Sequence, residues 1–252
     1  MLIYSIVKGF KSEFTHIQRN AIRSWQAVLP GDHHIFLFGD AEPNALEEAV
    51  ALGVPILPMV YTMSGAPLLP DVIQKMHEMR REGDTLCLIN ADIIIEPQFA
   101  AAVRTVEAKF DNFLLVTRRR NVQVDDELDF SQDWHEALKA LAFQDYTRSG
   151  IDVFCYRGDW LKHIPQFGVG RTAWDNWIVG WARSQKVPIV EATQFTVVYH
   201  QGHAKYKPAD AVQRNQELWN KALMHKDFKH AGTLDSATWL LDGAGNLAEK
   251  RK

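Results

Sequence analysis

Residues 85–96, TLCLINADIIIE, set two apolar runs on either side of a carboxylate. Leu86, Cys87, Leu88 and Ile89 read as a strand buried on both faces, and Ile93, Ile94 and Ile95 as another. Short continuous apolar runs of this kind suit a sheet covered on both sides by helices. Asp92 between them is expensive to bury unless something pairs with it. In open α/β sheets ligands gather at the carboxyl ends of the strands, so Asn90 and Asp92 stand where a polar exit is expected.

The chain to either side supports that sheet. LIYSIV (2–7) reads as a strand, and FTHIQRNAIRSWQAV (14–28) as a helix with Ile17, Ala21, Trp25 and Val28 on one face. Pro30-Gly31-Asp32 ends that helix, HIFLFG (34–39) is a second strand, and NALEEAVALG is a helix closed by Gly53. VPILPM is a short third strand, and a helix from Asp71 has Ile73, Met76 and Met79 on its apolar side. After TLCLIN, Pro97 opens a helix through Phe110, and NFLLVT is the next strand. Repeated β-α units predict a Rossmann-like, mostly parallel sheet with helices on both faces.

The second half is less regular. Residues 120–146 are acidic and then helical, and read as an insertion covering one side. IDVFCY is a strand, GDWLKHI a short helix start, and PQFGVGRTAW a Gly-rich loop. DNWIVGWARSQ is a helix with aromatic knobs at Trp174, Trp177 and Trp181, and FTVVYH is the final strand. HQGHAKYKP is a cationic loop, and a helix over Ala211 to Leu223 closes the core. With no repeat or linker, the 252 residues read as one domain.

Composition excludes several classes. A chain that is 46% hydrophobic and 23% charged is that of an ordinary globular protein, and a formal charge of −3 argues against nucleic acid as a partner. Arg118-Arg119-Arg120 reads as a solvated strand end. The two cysteines, Cys87 and Cys155, lie in apolar runs and read as buried thiols of a reducing compartment. With no apolar run long enough for a membrane span, the expected location is cytoplasmic, with membrane contact at most peripheral.

One carboxylate rarely holds a divalent ion, so Asp92 needs further ligands. His200 and His203, in HQGH, offer two imidazoles after the last strand. The spacing is wrong for a zinc protease, but with Asp92 either histidine completes a site for Mn²⁺ or Mg²⁺. Lys205 and Lys207 add positive charge where a diphosphate leaves. Asp175, in TAWDNWIV, is at its plainest a first-turn helix acid. Its functional reading is a general base flanked by Trp174 and Trp177, whose flat faces pack on a sugar or shield the carboxylate. FGVGR is too loose for a dinucleotide fingerprint, and Walker A and G-x-S-x-G sequences are missing.

INADI, GIDVF, GRTAWDNW and HQGH, in that order and after QRNAIRSW, resemble the GT-A superfamily of nucleotide-sugar glycosyltransferases, in particular a bacterial group with N-x-D, WDNW and HQxH motifs. The resemblance covers most of the chain. It implies a GT-A-like domain with a nucleotide-binding half (1–118) and an acceptor-binding half carrying the metal and diphosphate loop (119–252). It puts Asp92 at the metal-binding acid of the family's D-x-D, with Asn90 replacing the first Asp, which usually faces the ribose. It puts Asp175 at the general base of inverting members, with Trp174 where the family has Glu. His200 matches the C-terminal metal-binding histidine, and His203 is the second candidate. Lys8 and Gly9 stand where such enzymes receive the nucleobase. The implied activity moves a sugar from a UDP- or GDP-sugar to a hydroxyl of a glycan or lipid-linked acceptor, in bacterial glycan or polysaccharide synthesis. The rivals are a sugar-nucleotide pyrophosphorylase, which calls for a basic Gly-rich loop where IVKGFKSEF has only Gly9, and a non-catalytic nucleotide-sugar binding domain.

Overall fold

The structure, a computed structural model, describes residues 1–29, 34–59, 61, 64–203, 209–227 and 232–250. The first half follows the expected alternation: β1 (Leu2–Ile6), α1 (Glu13–Val28), β2 (His34–Phe38), α2 (Ala45–Leu52), β3 (Ile56–Leu57), α3 (Leu69–Met79), β4 (Leu86–Ile89), β5 (Ile93–Ile95), α4 (Phe99–Glu107) and β6 (Phe113–Val116). The second half gives β7 (Arg119–Val122), α5 (Trp134–Lys139), β8 (Phe143–Asp145), β9 (Val153–Arg157), α6 (Trp174–Ser184), β10 (Ile189–Glu191), β11 (Val198–Gln201), α7 (Ala211–Asp227), β12 (Trp239–Leu241) and β13 (Leu247–Glu249).

The main sheet has the order β13-β12-β10-β6-β9-β4-β1-β2-β3. Its pairings are parallel except around β9, which runs antiparallel between β4 and β6, and at β13. Successive residues of β4 face opposite ways, as the two-residue period of a strand requires. Cys87 and Ile89 join a core with Trp25 of α1 and Phe99 and Val103 of α4. Leu86 and Leu88 join another with Ile73 and Met76 of α3 and Trp177 and Ile178 of α6. Helices therefore cover both faces, and the double burial read from TLCLIN has its cause here.

The two halves of TLCLINADIIIE part company at Asp92. β4 stays in the main sheet, while β5 enters a second sheet of order β5-β11-β7-β8. The antiparallel pairing of β5 with β11 sets His200 opposite Ile93, and Gln201 N–H donates to the Asp92 carbonyl at 3.2 Å. Gln201 is fully buried, and its side-chain amide also donates to the carbonyls of Ile17 and Asp92.

Several expectations are corrected. Cys87 and Cys155 are buried but are not separate thiols: they face each other across β4 and β9, Cα atoms 4.1 Å apart, and form a disulfide. The thiol argument for a reducing compartment falls with that pairing. FTVVYH is not the last strand, since β12 and β13 follow. Residues 158–164 form turns rather than a helix start. Met79 is 40% exposed, turned off the face that buries Ile73 and Met76. Helix α7 meets the core only in part: Leu223 and Met224 pack against it, Asn220 is the one fully buried residue among those described, and Leu218 and Trp219 are largely exposed. The stretch 120–146 supplies most of β7 and all of β8 to the second sheet, and α5 packs Leu138 on it beside Ile94 and Tyr199, so the stretch is built into the fold instead of lying over it. Gly53 caps α2 as expected, with φ +65°. Among the described residues no helix is long and apolar enough to cross a membrane.

Candidate active site

The turn between β4 and β5 carries Asn90 and Asp92, and β11 with the two residues after it carries His200 and His203. Because β5 pairs with β11, these two polar segments meet at the edge where the sheets diverge. His203 Nε2 lies 3.2 Å and His200 Nε2 3.5 Å from Asp92 Oδ2, and the two imidazole rings are 5.1 Å apart. Among the described residues this is the one group of three potential ligands within 4.8 Å of one another. Bonds of roughly 2.1 Å to a shared cation would leave ligand atoms about 3.0–3.4 Å apart, close to these separations. Asp92 Oδ1 is buried and has no hydrogen-bond partner. A carboxylate whose Oδ2 meets two imidazoles and whose Oδ1 is left without a donor fits a divalent cation; two nitrogens and one oxygen suit Mn²⁺ better than Mg²⁺, which prefers oxygen ligands throughout.

Charge in the cluster is balanced. Burial acts to raise the Asp92 carboxyl, but the hydrogen bond from His203 and the nearby His200 and Lys8 outweigh it and hold it below the usual carboxylate range. Burial lowers His200, against the pull of Asp92 and Asp152, so its imidazole tends to the neutral form a metal ligand needs. Lys8, just past β1, sets its ammonium 4.4 Å above the Phe14 ring, which in turn packs 5.4 Å from His203. Gly9 beside it approaches Pro43 so closely that a Cβ would meet Pro43 Cδ at 2.9 Å. Lys8 is thus brought to the cluster. Lys205 and Lys207 lie outside the described residues.

Asn90 is not aimed at the histidines. Its side-chain amide donates to Asp152 Oδ1 at 2.8 Å, and its backbone N–H to the Asp152 carbonyl. Asp152, just before β9, also accepts from Arg119 at 3.0 Å through Oδ2. Neither Asp152 nor Arg119 was singled out from the sequence as a site residue. The signal was present: on a strand, Arg119 must point opposite to Arg118 and Arg120. Those two share Asp145, whereas Arg119 reaches inward to Asp152, its guanidinium 4.0 Å over the Tyr146 ring.

Asp175 opens the first turn of α6 after Ala173, whose φ of +86° is rare for a residue with a Cβ. Its Oδ1 is buried without a hydrogen-bond partner. Burial pushes the Asp175 carboxyl up to about 6; the Asp152 charge adds to the rise, and backbone amides of the first turn and Arg119 oppose it. Asp152 therefore acts electrostatically on both Asp175 and His200 and links the two parts of the site. The flanking tryptophans offer no open faces to a sugar. Trp174 is packed on Phe154, and Trp177 is buried, stacked 5.2 Å from Trp181 with its N–H donated to Asp227. Of the two roles expected for them, shielding the carboxylate is the one their burial suits.

The sequence matches no protein-family model and has no match among curated proteins. By structure, the chain is similar to S. aureus TarS 1–349 in complex with UDP-GlcNAc, with 15% identity and a TM-score of 0.54 over 92% of this chain and 67% of that one. The fold is GT-A-like. TarS 1–349 in complex with UDP is similar at 13% identity and a TM-score of 0.50, over 90% of this chain and 66% of that one. A mycobacterial protein is similar at 13% identity and a TM-score of 0.52, over 90% and 74%. The chain spans 37% of a further TarS 1–349 chain and 42% of the longer TarS. At such identities the likeness carries the fold and not the chemistry. In this GT-A-like frame the chemistry rests on the residues described above.

Proposed function

We propose that this protein is a metal-dependent glycosyltransferase that moves a sugar from a nucleoside-diphosphate donor to an acceptor hydroxyl. The observation that carries the reading is the convergence of Asp92, His200 and His203 on one point, with Asp92 Oδ1 buried and unpartnered. Asp92, His200 and His203 would hold Mn²⁺, which supplies positive charge against the diphosphate that leaves. Lys8 adds positive charge beside the same cluster, and Asn90, fixed by Asp152, keeps its amide oxygen for a donor hydroxyl. Asp175 takes the proton from the attacking acceptor hydroxyl, a role helped by a pKa near working pH and by a side chain that is only partly buried. Residues 1–118 then form the nucleotide-binding half and 119–252 the acceptor-binding half. The TarS complexes with UDP-GlcNAc and UDP support a UDP-sugar as the first donor to try.

The test is UDP binding followed by calorimetry with Mn²⁺ and with EDTA, in the wild type and in Asp92→Ala. Binding should depend on metal in the wild type, and Asp92→Ala should abolish that dependence with the fold intact, because it removes a ligand and not packing. Equal affinity with Mn²⁺ and with EDTA in the wild type would remove the metal from the reading. UDP-sugar turnover then separates a transferase from a binding domain.

A further inference from the structure

A cleft of about 560 Å³ lies between α7, the segment after β3 and the loop at 166–168. That volume is in the range of ligand sites, roughly 300–1,000 Å³. It shares no residue with the metal cluster or with Asp175. Its walls include Tyr61, Leu68, Gln166, Asn215, Gln216 and Trp219, and none of the described residues lining it carries a charge. The cleft is held in shape by hydrogen bonds. Asn220 is buried and accepts from Gly168 N–H while donating to the Gly168 carbonyl. Gln216 donates to the Ser64 carbonyl at 3.1 Å, and Trp219 N–H donates to the Gln166 carbonyl at 3.1 Å. The last bond fixes the indole plane, yet Trp219 is 58% exposed.

An indole that is oriented by its N–H and left open to solvent is a ready apolar platform at small entropic cost. Gln216 and Asn220 are spent on the walls, the former also accepting from Arg171, but the amides of Gln166 and Asn215 and the Tyr61 phenol offer both donors and acceptors. That combination suits an uncharged ring with an apolar face and hydroxyls on its edges. It suits neither a diphosphate, which needs cations, nor a lipid chain, which would leave the amides unpaired. The cleft is tied to the start of α6: Asn220 also donates to the Thr172 carbonyl at 3.1 Å, three positions before Asp175.

Resting on the glycosyl-transfer reading, we infer that this cleft binds a neutral sugar ring of a glycan acceptor, with Trp219 as its platform. The acceptor is then itself a carbohydrate, held by stacking and amide hydrogen bonds rather than by charge. The full chain is titrated, without nucleotide or metal, with maltotetraose, cellotetraose and chitotetraose, and followed by tryptophan fluorescence and calorimetry. At least one tetrasaccharide should bind saturably. Trp219→Ala should weaken it at least tenfold, Trp219→Phe less, and neither should lower the melting temperature, since the ring is largely exposed. Affinity for UDP with Mn²⁺ should be the same in the wild type and Trp219→Ala. No binding of any of the three, or equal binding by Trp219→Ala, would overturn the inference. So would a loss of UDP affinity in Trp219→Ala, which would give the cleft to the nucleobase. Because the sugar titration uses no metal or nucleotide, it stays readable if metal-dependent UDP binding fails.

Discussion

Asp175 is a carboxylate whose surroundings oppose its charge: burial and the nearby Asp152 hold it protonated up to about pH 6. As a base it works only when ionised, so the transfer rate should rise with pH through an apparent pKa near 6 and level off above it. Asp175→Asn cannot accept a proton and should lose about 10²–10⁴-fold in turnover with donor affinity little changed, and its residual rate should lack that limb. Stability follows the opposite sign. The folded state holds this proton more tightly than the unfolded chain, so the wild type loses stability as pH rises from about 4 to about 6. Asp175→Asn has no such loss, so it should melt above the wild type at pH 7.5 and match it near pH 4. A purely structural carboxylate predicts instead that turnover tracks the folded fraction at every pH. Thermal melts and rates on one pH series decide between them.

At the scale of elements, the site is made where β4, β7 and β9 deliver Asn90, Arg119 and Asp152 to one partly buried network. Removing Asp152 leaves the Arg119 guanidinium and the Asn90 amide without their partner, at a cost of about 1–3 kcal/mol, while replacing both charges by apolar residues is often close to neutral. Asp152→Ala should therefore destabilise, and Asp152→Leu with Arg119→Met should recover most of the loss in urea melts. If the double variant is no more stable than Asp152→Ala, the pair is not what holds these strand ends together. The sequence carried part of this. Alternation of side chains on a strand separates Arg119 from its neighbours, but not the identity of its partner, which lies 33 positions away. The direction of β9 was not legible, because a strand buried on both faces is apolar throughout whichever way it runs. The hairpin of β12 and β13 carried a signal that reading FTVVYH as the final strand passed over: Asp242 and Gly243 mark a turn, and Asp242 Oδ1 accepts from the N–H groups of Ala244 and Asn246. Strand β10, three residues long, is too short for periodicity to show.

At the scale of the whole molecule, Asp92 and His203 are 111 positions apart, and only the completed fold brings them within 3.2 Å. Motif order hinted at this meeting, but the pairing of β5 with β11 that causes it could not be read, because III and VVYH are compatible with many partners. A cation bound across so distant a contact favours the folded chain over the unfolded one, by about 2.7 kcal/mol when its concentration is 100 times its dissociation constant. The melting temperature should therefore climb with Mn²⁺ concentration without a plateau, fall back on adding EDTA, and respond less to Mg²⁺, whose preference for oxygen ligands two imidazoles do not meet. His203→Ala should flatten the Mn²⁺ response, read as the shift between Mn²⁺ and EDTA within each protein, so that the packing lost against Phe14 cancels. Lys8 offers a control: removing its charge should alter UDP affinity but leave a Mn²⁺ response, because an ammonium is not a ligand. A melting temperature indifferent to Mn²⁺ and EDTA alike would mean that Asp92 is held by the two imidazoles alone. The buried, unpartnered Oδ1 would then have no account in this fold.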